Sequence, residues 1–276
     1  DMSELKTIAD KYNIKIISDA AQAPGARYFE DFAGTLADVG GFSLNYHKHI
    51  HTGEGGVIVT NNNEIAEKLY LIRNHGEAVV EGNDTHHLKN ILGHNFRMGE
   101  IEASIGIEQL KKLDEIILRR QKIAKKLNQH LGDLDGLQIP KVRENCTHVY
   151  YMYQMKVDIK KTGIKREVIL KALEAEGVEG LSMNYANLHL LPMYQNKIAY
   201  GSKGFPWKFF ENGKSISYKK GICPVAENLQ DNQYLGYLMC MHELNDNEVN
   251  LLIKSFKKVW ANLDKLRQFN LSNNDI

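Results

Sequence analysis

Ile14-Lys15-Ile16-Ile17-Ser18-Asp19-Ala20-Ala21-Gln22 and, further on, Gly40-Gly41-Phe42-Ser43-Leu44-Asn45-Tyr46-His47-Lys48-His49-Ile50-His51-Thr52-Gly53-Glu54-Gly55-Gly56 make up the stretch whose reading decides the fold. Ile14, Ile16 and Ile17 favour a strand, because β-branched side chains pack well on a pleated surface. That strand is expected to be buried and to end at Asp19, which places a carboxylate at the carboxyl edge of a sheet, where ligands of open α/β sheets bind. Asp38 to Leu44 reads as the next buried strand and Gly55 to Thr60 as its successor. Lys48 falls on the connection between them. It is bracketed by Ser43 at a strand end and by the turn Gly53-Glu54-Gly55-Gly56, whose glycines reach backbone angles closed to other residues.

One carboxylate, one amide, one hydroxyl and one lysine thus gather near strand ends. The set suits an aldehyde cofactor with a pyridine ring and a phosphate. Lys48 would carry the aldehyde as a Schiff base, and Asp19 would keep the ring nitrogen protonated so that the ring accepts electrons. Gln22 would donate to the ring oxygen and Ser43 would hydrogen-bond the phosphate. Taken alone, Asp19 would be a turn acid or helix cap and Lys48 a solvated charge; the constellation reverses both readings.

Asp19-Ala20-Ala21-Gln22, Phe42-Ser43, and Lys48 ahead of Glu54-Gly55-Gly56 closely resemble the DegT/DnrJ/EryC1/StrS family of pyridoxal phosphate (PLP) dependent sugar aminotransferases. The resemblance implies an α/β fold of the aspartate aminotransferase type (fold type I), with a mixed, mostly parallel sheet and a smaller α+β C-terminal domain. It implies transfer of an amino group from glutamate or glutamine to a keto sugar, nucleotide-linked in most such enzymes. One relative in that family has His where Lys is expected and performs dehydration; the presence of Lys48 favours transamination. Members also carry a long segment before the Asp-Ala-Ala-Gln run, so this chain is expected to open inside a βαβ unit and to lack the N-terminal part.

Gly93-His94-Asn95-Phe96-Arg97-Met98 is similar to a second family segment, in which the Asn reaches the cofactor phosphate from the neighbouring subunit. That likeness would make Asn95 a cofactor ligand and the active unit a homodimer with a shared site. Arg97 is either a phosphate or carboxylate contact or a member of a buried ion pair. Leu188-His189-Leu190-Leu191-Pro192 is similar to a stretch near the family's substrate pocket. His189 is therefore a candidate substrate contact, with a packed core histidine as the competing reading, and Tyr185 lies in the same aromatic, loop-rich segment.

His47, His49 and His51 form a rival motif. On a strand, period two would place all three on one face, as a metal site could use. No Cys or paired carboxylate stands at ligand spacing beside them, so no metal is expected.

Composition narrows the remaining classes. The 276 residues are 43% hydrophobic and 25% charged, ordinary for a globular protein. Net charge is +1, with 35 basic against 34 acidic residues, which gives no electrostatic case for nucleic acid or an anionic membrane. No apolar run approaches the roughly 20 residues that span a bilayer. Cys146, Cys223 and Cys240 are few and scattered, which suits a reducing, cytoplasmic setting.

Helical periodicity is expected at 3–13 with Ser3 as cap, at 64–73, continuously over 100–131 with Ile101, Ile105, Leu110, Leu113 and Ile117 packed, at 165–177, and at 245–267. Lys165 and Arg166 are expected to face solvent, residues 77–90 to form a loop, and 149–157 to form a strand. The loop from Gly136 to Thr147 suggests that 1–132 is the C-terminal part of a large cofactor domain and 133–276 a small domain.

Overall fold

The structure is a computed structural model that describes residues 1–77, 91–183, 185–210 and 216–272, so most of the loop expected at 77–90 lies outside the described residues. The chain divides into two compact units, Asp1–Ala124 with Lys141–Tyr151 and Lys125–Pro140 with Met152–Ile276.

The first unit opens with α1 (Met2–Tyr12). Its cap is Asp1, whose side chain accepts from the Glu4 amide, rather than Ser3. An N-cap oxygen satisfies an otherwise orphaned helix amide, and Asp1 is one residue outside the first turn, where that bond can form. Next come β1 (Ile17–Asp19), the small antiparallel pair β2 (Arg27–Tyr28) and β3 (Asp31–Phe32), then β4 (Val39–Ser43) and β5 (Gly56–Val59). The main sheet has the order β1-β4-β5: β1 runs parallel to β4, and β5 returns antiparallel. Parallel pairing is therefore confined to one of its two ladders, and the expectation of a mostly parallel sheet is corrected to a small mixed one. Nor are the outer strands β1 and β5 buried: Ile17 is 78% exposed, and Val57 and Ile58 are exposed too, whereas β4 between them is half-buried. A run of β-branched residues specifies a strand but not what covers it.

Helices α2 (Asn63–Arg73), α3 (Glu100–Leu110) and α4 (Leu113–Leu131) follow. The single helix expected over 100–131 breaks at Lys111-Lys112, where the Lys112 amide reaches the Gln109 carbonyl in a tightened turn. Ile101, Ile105 and Leu110 are exposed, whereas Leu113 and Ile117 are buried. The core of this unit gathers Ala26, Ile50, Leu113, Ile117 and Val149, with Leu44 packed against it. Ile50 lies two residues beyond Lys48, so the core fixes the lysine-bearing turn from below.

The second unit is built on an antiparallel sheet of order β6-β7-β9-β8: β6 (Leu137–Gln138), β7 (Tyr153–Val157), β9 (Tyr234–Tyr237) and β8 (Leu181–Ser182). Strand β7 buries Tyr153, Met155 and Val157 and exposes Gln154 and Lys156, the alternation that a half-covered strand requires. The strand expected at 149–157 thus begins only at Tyr153. The remaining helices are α5 (Ile159–Thr162), α6 (Arg166–Ala175), α7 (Pro192–Asn196), α8 (Trp207–Phe210), α9 (Pro224–Asn228), α10 (Asp246–Ala261) and α11 (Leu263–Ser272). The helix expected over 245–267 is divided at Asn262.

Arg166 overturns the solvent-facing expectation. It is 5% exposed, and its guanidinium donates to the carbonyls of Gln230 and Tyr234 and to the Glu167 carboxylate. A planar fork of five donors can satisfy several carbonyls of a π-turn (Leu229–Gln233) at once, which makes burial of the charge tolerable.

Candidate active site

Asp19 ends β1, and its register partner on β4 is Gly41. Its Oδ1 accepts from the Ala21 amide at 3.1 Å, a local turn that directs the chain away from the sheet edge. Gln22 follows on that turn, exposed and closed by the Ala23 amide donating to the Ala20 carbonyl. Ser43 ends β4, and its hydroxyl oxygen accepts from the Asn45 amide at 3.2 Å, which leaves its proton to be given elsewhere.

Asp19 and Ser43 line one open cavity of about 350 Å³, together with Ile17, Gly41 and Ile58. Gly41 is central to its shape. A Cβ built there would meet no atom within 4 Å, so the missing side chain leaves an open cradle beside the carboxylate. A flat ring with an anionic substituent fits that cradle: a carboxylate beside a ring nitrogen and a hydroxyl beside a phosphate are the donor set PLP needs.

The connection carrying Lys48 is a compact turn rather than a strand. The Lys48 amide donates to the Asn45 carbonyl, Asn45 Nδ2 donates to Glu54 Oε1 at 2.6 Å, and the Thr52 amide returns to the Leu44 carbonyl. Thr52 Oγ1 donates to the Glu54 carbonyl at 2.8 Å. Gly53 adopts φ +85, and a Cβ on Gly55 would lie 2.6 Å from Thr52 Oγ1, so the glycines are required for the turn to close.

The three histidines therefore diverge. His51 Nδ1 accepts from the Gly53 amide, and the His47 ring lies edge-on to Tyr46. His49 is 4% exposed, with Nε2 2.8 Å from the Val149 carbonyl oxygen. A carbonyl can only accept, so Nε2 carries the proton, and among the described residues Nδ1 is buried with no partner. Burial first, then the neighbouring positive groups Arg120, His148 and Lys48, hold its pKa down at about 4 against the Val149 bond that favours charge. Among the described residues no group of three His, Cys, Asp or Glu side chains is placed to hold a metal ion.

Asn95 lies in the first unit on a segment tied to the end of α2. Asn74 and Asn95 form a bridge, with the His75 amide on the His94 carbonyl and the Phe96 amide on the Arg73 carbonyl. Gly93 is needed for this approach, since a Cβ there would collide with the Gly76 amide. Asn95 and Arg97 are both exposed. Among the described residues Arg97 has no buried ion-pair partner; its guanidinium donates to the side-chain oxygen of the buried Asn74.

His189 and Tyr185 lie in the second unit. Tyr185 is exposed, its amide bonded to Gln230 Oε1 at 3.2 Å. His189 Nε2 lies 2.8 Å from Glu227 Oε1, with both side chains nearly buried, at 11% and 8% exposed. The Glu227 carboxylate also accepts from the Gly221 and Cys223 amides. Desolvation pushes its pKa up, but the Gly221 amide, His189 and the Cys223 amide together outweigh it, and the net value lies below the usual carboxylate range. Sequence reasoning passed over Glu227, the Val149 carbonyl that partners His49, and Tyr151, whose ring centroid lies 4.6 Å from Lys48 Nζ. None sits in a motif, and each acquires its contact through a fold in the chain; the one available signal was a histidine directly beside the lysine of interest.

Residues 1–234 match the family model described as the DegT/DnrJ/EryC1/StrS aminotransferase family. A protein of Methanocaldococcus jannaschii, MJ1066, whose description states no function, is 32% identical over 94% of this chain and 63% of its own length. The GDP-perosamine synthase of Caulobacter vibrioides is 33% identical over 70% of this chain and 51% of its own length. The chain thus spans between about half and under two thirds of these relatives. Among solved structures, S. venezuelae DesV in complex with a ketimine intermediate superposes with a TM-score of 0.75 at 26% identity, over 94% of this chain and 62% of that one. With its cradle beside Asp19 and its lysine-bearing turn, the chain belongs to the DegT/DnrJ/EryC1/StrS aminotransferase family.

Proposed function

We propose that this chain is the lysine-bearing part of a PLP-dependent aminotransferase that passes an amino group from glutamate or glutamine to a keto sugar carried on a nucleotide. The observation that supports this most is the open cradle over Gly41, flanked by the Asp19 carboxylate and the Ser43 hydroxyl. Bound there, PLP supplies an electron sink for the charge left when a proton leaves the carbon bearing the amino group.

The chain's own residues have distinct tasks. The Asp19 carboxylate holds the proton on the ring nitrogen, Gln22 donates to the ring oxygen, and Ser43 donates to the phosphate. Lys48 Nζ would hold the cofactor aldehyde until the donor's amine displaces it; the freed amine would then take the proton from the donor's α-carbon and pass it to the cofactor, and in the return half-reaction would deliver a proton to the acceptor carbon, acting as base and acid in turn. Asn95 reaches the phosphate of a neighbouring subunit's site, so the active unit is a homodimer. The exposed apolar face of α3, with Ile101, Ile107 and Leu110, supports a second copy of the chain as the partner. Within the first unit, the exposed Arg97 contacts the acceptor. The sugar-nucleotide product named for the Caulobacter relative supports the acceptor class.

The test is an absorption spectrum of the chain with PLP, before and after glutamate, in wild type and Lys48→Ala. A long-wavelength band that depends on Lys48 and is bleached by glutamate is expected. An unchanged band in Lys48→Ala would overturn the assignment of the lysine.

A further inference from the structure

The segment following residue 147 folds back on the lysine-bearing turn through three separate contacts. The Val149 side chain packs in the core with Ile50, and the Val149 carbonyl accepts from His49 Nε2. The Tyr151 ring lies beneath Lys48, its centroid 4.6 Å from Nζ, and is also tilted against the rings of His47 and His49. Residues 49 and 50 thus grip residue 149 through side chain and core, while residue 151 reaches the lysine just before them.

The segment is itself shaped for this. Gln121 Nε2 donates to the His148 carbonyl, His148 Nδ1 accepts from the Tyr150 amide at 2.8 Å, and the His148 and Tyr150 rings stack at 4.2 Å. Tyr150 takes φ +50, an angle that side chains with a Cβ adopt at a cost, and this turn directs Tyr151 back toward Lys48.

We infer that His49 and Tyr151 are positioning residues for the Lys48 amine: the His49–Val149 bond staples the lysine-bearing turn to the 148–151 hook, and the hook holds the Tyr151 ring face as a seat for Nζ. An aromatic face attracts an ammonium through the ring quadrupole, so the seat favours one direction of a side chain that otherwise has many rotamers. His49 serves because it is neutral there. A charged side chain at that buried position would stand beside Arg120, His148 and Lys48 and would push the ammonium off the ring.

This inference rests on the reading of Lys48 as the cofactor lysine for its catalytic meaning, but its test needs no cofactor and can fail while that reading stands. In the full chain without PLP, the rate at which an amine-acylating ester labels Lys48 is measured by peptide mass spectrometry, relative to Lys160 as internal standard. His49→Leu and Tyr151→Leu should each raise the Lys48 rate by about two- to fivefold, the release of one cation–π contact. Tyr151→Phe, which keeps the ring face, and His49→Gln, which keeps a donor for Val149, should remain near wild type. The double Leu variant should match either single one, because staple and seat act in series. A general loosening would not be rescued by Phe or Gln, and that result overturns the inference. Leu variants at the wild-type rate, or a double variant that multiplies the single effects, would overturn it equally.

Discussion

At the scale of single residues, the charge on Asp19 and the absence of charge on His49 carry separate consequences. Asn in place of Asp19 keeps a hydrogen bond but gives up the negative charge that would hold a ring proton. Asp19→Asn should therefore retain PLP while turnover falls by roughly a hundredfold or more; equal turnover, measured with saturating donor, would remove Asp19 from its role. For His49 the folded pKa of about 4 lies below the ordinary 6.5, so the unfolded chain binds more protons between these values. By linkage, stability rises with pH across that window: the neutral-histidine contribution is complete above about 6.5 and is lost as pH falls toward 4, to a total of about 3 kcal/mol. Denaturant unfolding at pH 7 and pH 4.5 should show His49→Gln with a shallower fall than wild type. The placement of Asp19 and Ser43 at strand ends, and of Lys48 on a glycine-bounded turn, was legible in the sequence because strand ends and glycines announce themselves locally. The staple on His49 was not, because Val149 is a hundred residues away and a backbone carbonyl has no sequence signature.

At the scale of elements, the helical pattern told where helices are and not what they bury. Val249, Leu252, Ile253, Phe256 and Val259 on α10 are all buried, whereas Ile101, Ile105, Ile107 and Leu110 on α3, equally apolar, are exposed. Phe256→Ala should cost about 3–5 kcal/mol by emptying a packed site, while Ile101→Ala should change the stability of the dilute chain by less than about 0.5 kcal/mol. Urea unfolding of the two variants side by side reads the contrast directly. The α10 start is a reciprocal capping box, with Asn245 accepting from the Glu248 amide and Glu248 accepting from the Asn245 amide. Asn245→Ala should lower stability by about 1 kcal/mol. Strand lengths and helix breaks were misread for one physical reason. Periodicity averages over a window, whereas the break at Lys111-Lys112 and the late start of β7 are decided by single backbone bonds and by what packs on each face.

At the scale of the whole molecule, the proposal that Asn95 of a second copy completes the site makes a mixing prediction. Lys48→Ala and Asn95→Ala chains, each inactive alone, should recover roughly a quarter of wild-type activity when mixed, since random pairing gives half the dimers one intact site of two. Recovery absent at every ratio would place Asn95 in its own chain's site. The division of the chain into units has a further consequence, for how the molecule can be taken apart. The backbone passes from the first unit to the second within α4, returns for Lys141–Tyr151, and leaves again. No single cut yields two whole folding units. A fragment ending at Ala124 would forfeit Val149 from its core, the Thr147 hydroxyl that accepts from the Arg27 amide, and the Arg143 partner of Asp1. Trypsin nicking at the exposed Arg143 would leave each product holding an orphaned piece of the other unit. The backbone thus crosses between the two units three times, and a protease or an evolutionary splice must act at three places to free either one.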